Sequence, residues 1–207
     1  MKAFVYVIAL MPLELLAQDR DNSFQYIEIE GGITVPIGKL TNSMNAAPNI
    51  GLWVRKPQAH NSVWAYGFSI NFPKRTPLQY VNADFETETK SFADMIGLRL
   101  DKIYPAHRAK KTDLIWSSSF GYGFYFFDDV RARAEYDNLP PSKKNEDEKP
   151  IFIRPFSTIY VGQGLQLRVR NFGLQARYNY TLYALFTDII DHNFGAHSVS
   201  LGVFYRQ

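Results

Sequence analysis

An all-β fold, an antiparallel up-and-down transmembrane β-barrel of eight strands, follows from three features of this 207-residue sequence. Apolar and polar residues alternate strictly along stretches of roughly ten residues, long enough to cross a bilayer at the usual strand tilt. The connections between them alternate short and long. Glycine gathers on the polar side of the alternation, where a narrow barrel needs close approach and tight curvature.

The chain opens with an export signal. Lys2 supplies the positive start, Ala3 to Leu10 an apolar run, and "LLAQD" a cleavage point after Ala17. Residues 1–17 are therefore read as a signal peptide and 18–207 as the barrel domain. Pro12 and Glu14 end the apolar run well short of the ~20 residues that a spanning helix requires.

Eight alternating segments follow. In "FQYIEIEGGI", Ile27, Ile29 and Ile33 share one face while Glu28 and Glu30 take the other. "NIGLWVRK" sets Ile50, Leu52 and Val54 against Gly51, Trp53 and Arg55. "SVWAYGFSINF" sets Trp64, Tyr66, Phe68, Ile70 and Phe72 against small residues. "ADMIGLRLD" opposes Ile96, Leu98 and Leu100 to Gly97, Arg99 and Asp101. "LIWSSSFGYGFYF" and "STIYVGQGLQLRV" repeat the pattern, the latter with Tyr160, Gln166 and Arg168 on its polar face. "GLQARYNYTLYAL", 173–185, opposes Leu174, Tyr178 and Leu182 to Gln175, Arg177 and Asn179. "HSVSLGVFYRQ" closes the series with Val199, Leu201, Val203 and Tyr205 against Ser198, Gly202 and Arg206. Two further short strands within "TPLQYVNADFETET" would raise the count to ten.

"KPQAHN" and "VRNF" are short turns, whereas Pro36 to Pro48, Pro73 to Lys90, Asp128 to Lys149 and Phe186 to Gly195 are long and polar. Short turns at one end and long loops at the other is the layout of an outer-membrane barrel. "KIYPAHRAKKTD" breaks the regularity, reading as a long basic connection where a short turn belongs.

Of the 13 glycines, ten lie on the polar face, which places that face inside and turns the apolar face to lipid. A soluble lipocalin-like barrel, the alternative, has its apolar face inside; here that would crowd many large aromatics into a narrow lumen. Glu28, Glu30, Arg55, Arg99, Asp101, Arg168, Arg177 and Arg206 then point inward. Charges in so narrow a space are costly unless paired, so they are read as a structural ion-pair network that plugs the barrel. A small selective pore is the sharper alternative, which eight strands seldom allow.

Composition excludes several function classes. A net charge of +3 is too small to indicate nucleic acid. With no cysteine there is neither a disulfide framework nor a thiolate nucleophile or metal site. His60, His107, His192 and His197 lack metal-ligand spacing, and "GYGFYF" lies within a strand and so does not form a phosphate loop. No catalytic residue, metal or cofactor is assigned. A lipid-modifying barrel enzyme is the alternative, but adjacent His197 and Ser198 fall on opposite faces of one strand. In the longest loop, Arg131, Arg133 and Tyr136 form a candidate partner-contact patch, since Arg and Tyr are favoured at interfaces. The run Ser142 to Lys149 reads as a solvated tip.

"EIEGGITVPIGKL", "LQLRVRNFGLQARYNYTLYALF" and "HSVSLGVFYR" resemble the outer-membrane β-barrel domains abundant in Bacteroidota, including the PorT family and small barrels of the OmpA-OmpX kind. The resemblance covers most of the mature chain and rests on architecture. It implies an outer-membrane location, with the lipid bilayer and other outer-membrane proteins, such as a secretion or assembly complex, as partners. Such barrels usually end in an aromatic residue, whereas this chain ends Phe204-Tyr205-Arg206-Gln207.

Overall fold

The computed structural model describes residues 25–42, 44–72, 76–78, 87–89, 91–107, 112–128, 130–140, 152–183, 185–186 and 194–207. Residues 1–17, expected from the sequence to be a signal peptide, lie outside them. Strands β1 (Tyr26–Ile37), β2 (Ala47–Gln58), β3 (Ser62–Asn71), β6 (Ser91–His107), β7 (Thr112–Asp128), β8 (Ile153–Val169), β9 (Phe172–Thr181) and β10 (His197–Arg206) close into one barrel. Each pairs antiparallel with its neighbours along the chain, and β10 returns to β1, for example with Glu28 opposite Arg206 and Gly32 opposite Gly202. Closure leaves the barrel itself without an open strand edge to seek a partner.

Two further short strands do form, β4 (Thr76–Leu78) and β5 (Thr87–Thr89), but they pair only with each other. They decorate the connection between β3 and β6, and the barrel keeps eight strands. Among the described residues no helix is long and apolar enough to cross a membrane.

The alternation sorts the faces as expected. Ile27, Ile29 and Ile33 on β1, Leu52 on β2, Phe68 on β3, Leu98 on β6, Phe120 on β7, Leu167 on β8, Leu174 on β9 and Val203 on β10 are all exposed. The opposite faces are buried and rich in charge. The wall is interrupted by Ser118, whose hydroxyl donates to Gln163 Oε1 on the facing strand at 3.0 Å, so these two polar groups answer one another.

Several boundaries differ from the sequence reading. The basic connection after Lys102 is mostly strand: β6 runs to His107 and β7 begins at Thr112. Only residues 108–111 separate the two strands, as the architecture requires, and His107 belongs to the strand. Its basic residues and Pro105, which pairs with Asp113 beside a register shift, disguised the ladder. Pro36 and Pro48 likewise sit inside β1 and β2, leaving only 38–46 to connect them. Strand β9 stops at Thr181, before the expected Leu185. The β2–β3 turn carries His60 and Asn61 at φ 56° and 59°, the pair of left-handed residues that a tight two-residue hairpin turn needs. The long loop after β7 starts with a helix, α1 (Val130–Asp137), built from "VRARAEYD", where Ala, Arg and Glu favour helix.

Candidate functional site

All eight inward charges named from the sequence face the lumen, and most meet in one network. Glu28, on β1, is fully buried and sits between arginines from three other strands. Arg206 Nε donates to its Oε2 at 2.9 Å, Arg55 Nη1 lies 3.1 Å from Oε2, and Arg99 Nη1 stands 3.7 Å from Oε1. Two residues along, Glu30 receives Arg99 in a forked pair at 2.6 and 2.8 Å. Gln175 Nε2 adds a third donor to Glu30 at 3.0 Å. Asp101 pairs with Arg55. The period-2 strand brings Glu28 and Glu30 to one side, and closure delivers their partners from β2, β6, β9 and β10.

Trp53 supports this layer. It is buried on the inward face of β2, and the Arg99 guanidinium lies 3.3 Å from its ring centroid. Stacking and a bidentate carboxylate together hold one Arg rotamer, which is why lysine would not substitute here.

Arg168 stands apart. It meets Asp113 at the short-turn end, with Nε donating to Oδ2 at 2.9 Å, and the pair is partly open to solvent. Asp113 was missed because the sequence placed it in the basic connection rather than on β7. Gln166 and Gln175, also on the polar face, link the two carboxylate clusters: Gln166 accepts from Arg206 Nη2 at 3.4 Å and its Nε2 donates to Gln175 Oε1 at 3.3 Å, while Gln175 donates to Glu30.

Above the ion pairs the lumen changes character. Thr34, Asn49, Asn71, Asn179 and Ser200 form a neutral hydrogen-bonded chain with links of 2.7–3.0 Å. Tyr160 lies along the inner wall over β7 and β6, against Gly121 directly opposite it and Gly97 beyond. A Cβ at Gly121 would lie 2.6 Å from the Tyr160 ring, and one at Gly97 would overlap its hydroxyl. The glycine row is the recess that receives this ring.

The long-loop end is covered. Leu40 and Met44, from the connection after β1, are buried, as are Tyr183 and Phe194 from the connection after β9. Tyr183 meets Tyr125 edge-on at 6.0 Å and Phe194 at 5.4 Å. Burial, with Tyr125 beside it, raises the Tyr183 hydroxyl above its ordinary pKa. Gly195, at φ +99°, lies against the Leu40 backbone, where any Cβ would collide. Under this lid lies a cavity of about 60 Å³ lined by Thr34, Asn49, Ser119, Arg177, Asn179 and Ser198 among others.

On the rim, Arg133 and Tyr136 are one helical turn apart on α1 and both meet Phe152. The guanidinium lies 5.0 Å from the Phe152 centroid and the Tyr136 ring 5.7 Å. Arg131 is on the same helix, and its side chain lies outside the described residues, as does the segment Ser142 to Lys149. His197 points outward and its Nδ1 shares a 2.5 Å hydrogen bond with Tyr178 Oη, while Ser198 is buried inside. The two residues therefore form no dyad. Asp191 and His192 lie outside the described residues.

No family model matches the chain, and no curated protein matches it in sequence. Among solved structures, the chain is similar to Neisserial surface protein A (NspA), with a TM-score of 0.52 at 10% identity, over 88% of this chain and 95% of that one. Ail, the attachment invasion locus protein of Yersinia pestis, aligns over 88% of this chain and 97% of its own at 14% identity, with a TM-score of 0.39. At such identities the likeness concerns the fold: this chain is a closed eight-stranded antiparallel up-and-down barrel.

Proposed function

We propose that the chain is a small non-enzymatic barrel of the outer membrane whose lumen is plugged and whose specific work is done at its long-loop rim. The observation that carries this reading is the inversion of the barrel. Every barrel strand exposes large apolar side chains while Glu28, Glu30, Arg55, Arg99, Asp101, Arg177 and Arg206 are buried inside. An exposed apolar belt of this extent needs lipid, and strands of ten to 17 residues are long enough to cross. Residues 1–17 act as the export signal that delivers the chain there. A packed polar lumen conducts nothing and leaves the rim as the surface that meets partners, either as a binding protein or as a subunit of a larger outer-membrane complex. Helix α1, with Arg133 and Tyr136 anchored on Phe152 and Arg131 on the same helix, is the contact surface favoured by its composition.

Cell fractionation tests the location: the mature protein stays with outer membranes after carbonate extraction, and recovery in the soluble periplasm contradicts the reading. Pull-down from detergent-solubilised membranes tests the rim. Replacing Arg131, Arg133 and Tyr136 together with alanine leaves folding intact and loses the co-purifying protein. Retained co-purification in that variant removes the patch from consideration.

A further inference from the structure

The described residues of the lumen do not balance their charge. Among the described residues, four carboxylates point inward (Glu28, Glu30, Asp101 and Asp113) against five guanidinium groups (Arg55, Arg99, Arg168, Arg177 and Arg206). Pairing them off leaves Arg177. Asp101 holds Arg55, Glu28 holds Arg206, Asp113 holds Arg168, and Glu30 is gripped by both Nη atoms of Arg99. Arg177 reaches that same Glu30 only at 3.7 Å, and its one hydrogen bond is to the neutral Gln175 Oε1 at 3.2 Å. It is 8% exposed, and its Nε is buried without a partner. A buried cation left in this state is costly.

Arg177 also borders the cavity of about 60 Å³ beneath the lid. Ser119 lines the same cavity, is buried, and its hydroxyl too has no partner. Asn49, Asn179, Ser198 and Ser200 supply further neutral donors around it. The one carboxylate on the wall, Glu30, is already neutralised by Arg99. The space holds a few water-sized groups, at roughly 10–15 Å³ each. It is too small for a sugar or a peptide.

We propose that this cavity is a binding site for a small monovalent inorganic anion, held by Arg177 and Ser119 and accompanied by water. The anion is the missing counter-charge of the lumen, so its binding stabilises the folded barrel and is independent of any partner at the rim. The site needs no bilayer, and its test is separate from that of the outer-membrane reading.

Bromide is the probe. The wild-type barrel, folded in zwitterionic detergent, is melted across a bromide titration, with gluconate, too large to enter, holding ionic strength constant. The expected result is a rise in Tm that sets in near the dissociation constant, grows with the logarithm of bromide concentration and reaches about 5–10 °C at a hundred-fold excess over that constant. Arg177→Gln abolishes the logarithmic rise, and Ser119→Ala moves its onset about three- to ten-fold higher in bromide. General salt effects are linear and persist in Arg177→Gln. Crystals grown with bromide show an anomalous peak beside Arg177 Nε, a readout that stands even when the variant fails to fold. A wild-type Tm that ignores bromide, an unchanged titration in folded Arg177→Gln, or an empty cavity in bromide crystals overturns the proposal.

Discussion

Glu28 shows how much one side chain can organise. Its carboxylate accepts from Arg206 and Arg55 and lies near Arg99, so removing its charge strands buried cations. Breaking a buried pair from one side costs about 3–5 kcal/mol. Glu28→Gln is therefore expected to lower the urea midpoint of the vesicle-embedded barrel strongly. Adding Arg206→Gln to it recovers part of the loss, and a loss no smaller in the double variant contradicts the account. The inward charges were readable in the sequence because period-2 alternation assigns each to a face. Their partners were not. Asp113 belongs to a strand end that a basic, proline-containing stretch concealed, and Arg99 over Trp53 depends on shear, which no single strand reveals.

At the scale of elements, β6, β7 and β8 each run 17 residues, well beyond the ~9–11 needed to cross. Their extra length projects toward the long-loop end, where α1 leaves β7. This geometry separates membrane from rim. Leu98→Arg, on the outward face of β6, should impair insertion by about 2–4 kcal/mol, whereas Leu139→Arg, beyond α1, should change it little. Folding yields into vesicles compare the two; equal effects would misplace the belt. The helix itself was invisible to an alternation search, since eight residues of "VRARAEYD" have the look of a polar loop until Phe152 provides an anchor. The lid was equally hidden. Leu40 and Phe194 lie in stretches read as loops, and only closure brings them together over the lumen. Gly195→Val places a β-branched side chain at φ +99° against Leu40 and should cost about 2 kcal/mol or more. Single-channel recording of that variant is expected to show no open pore, because the Glu28 and Glu30 layer still blocks the lumen beneath the lid. Stable conductance would show that the lid alone is the plug.

For the whole molecule, the sequence revealed the strand number, the order of turns and loops and the sidedness of the wall, since each follows from local periodicity. It left out the layering inside: ion pairs toward the termini, a neutral chain above, a small cavity and an apolar lid. The central claim is that the apolar face meets lipid and the charged face does not. The chain lacks cysteine, so single cysteines can report on each face without background. Spin labels at Leu98, Leu174 and Val203 in the reconstituted barrel are expected to collide with oxygen dissolved in the bilayer and to be shielded from an aqueous nickel chelate. Ready access of the nickel chelate to all three would contradict the account, returning the barrel to water.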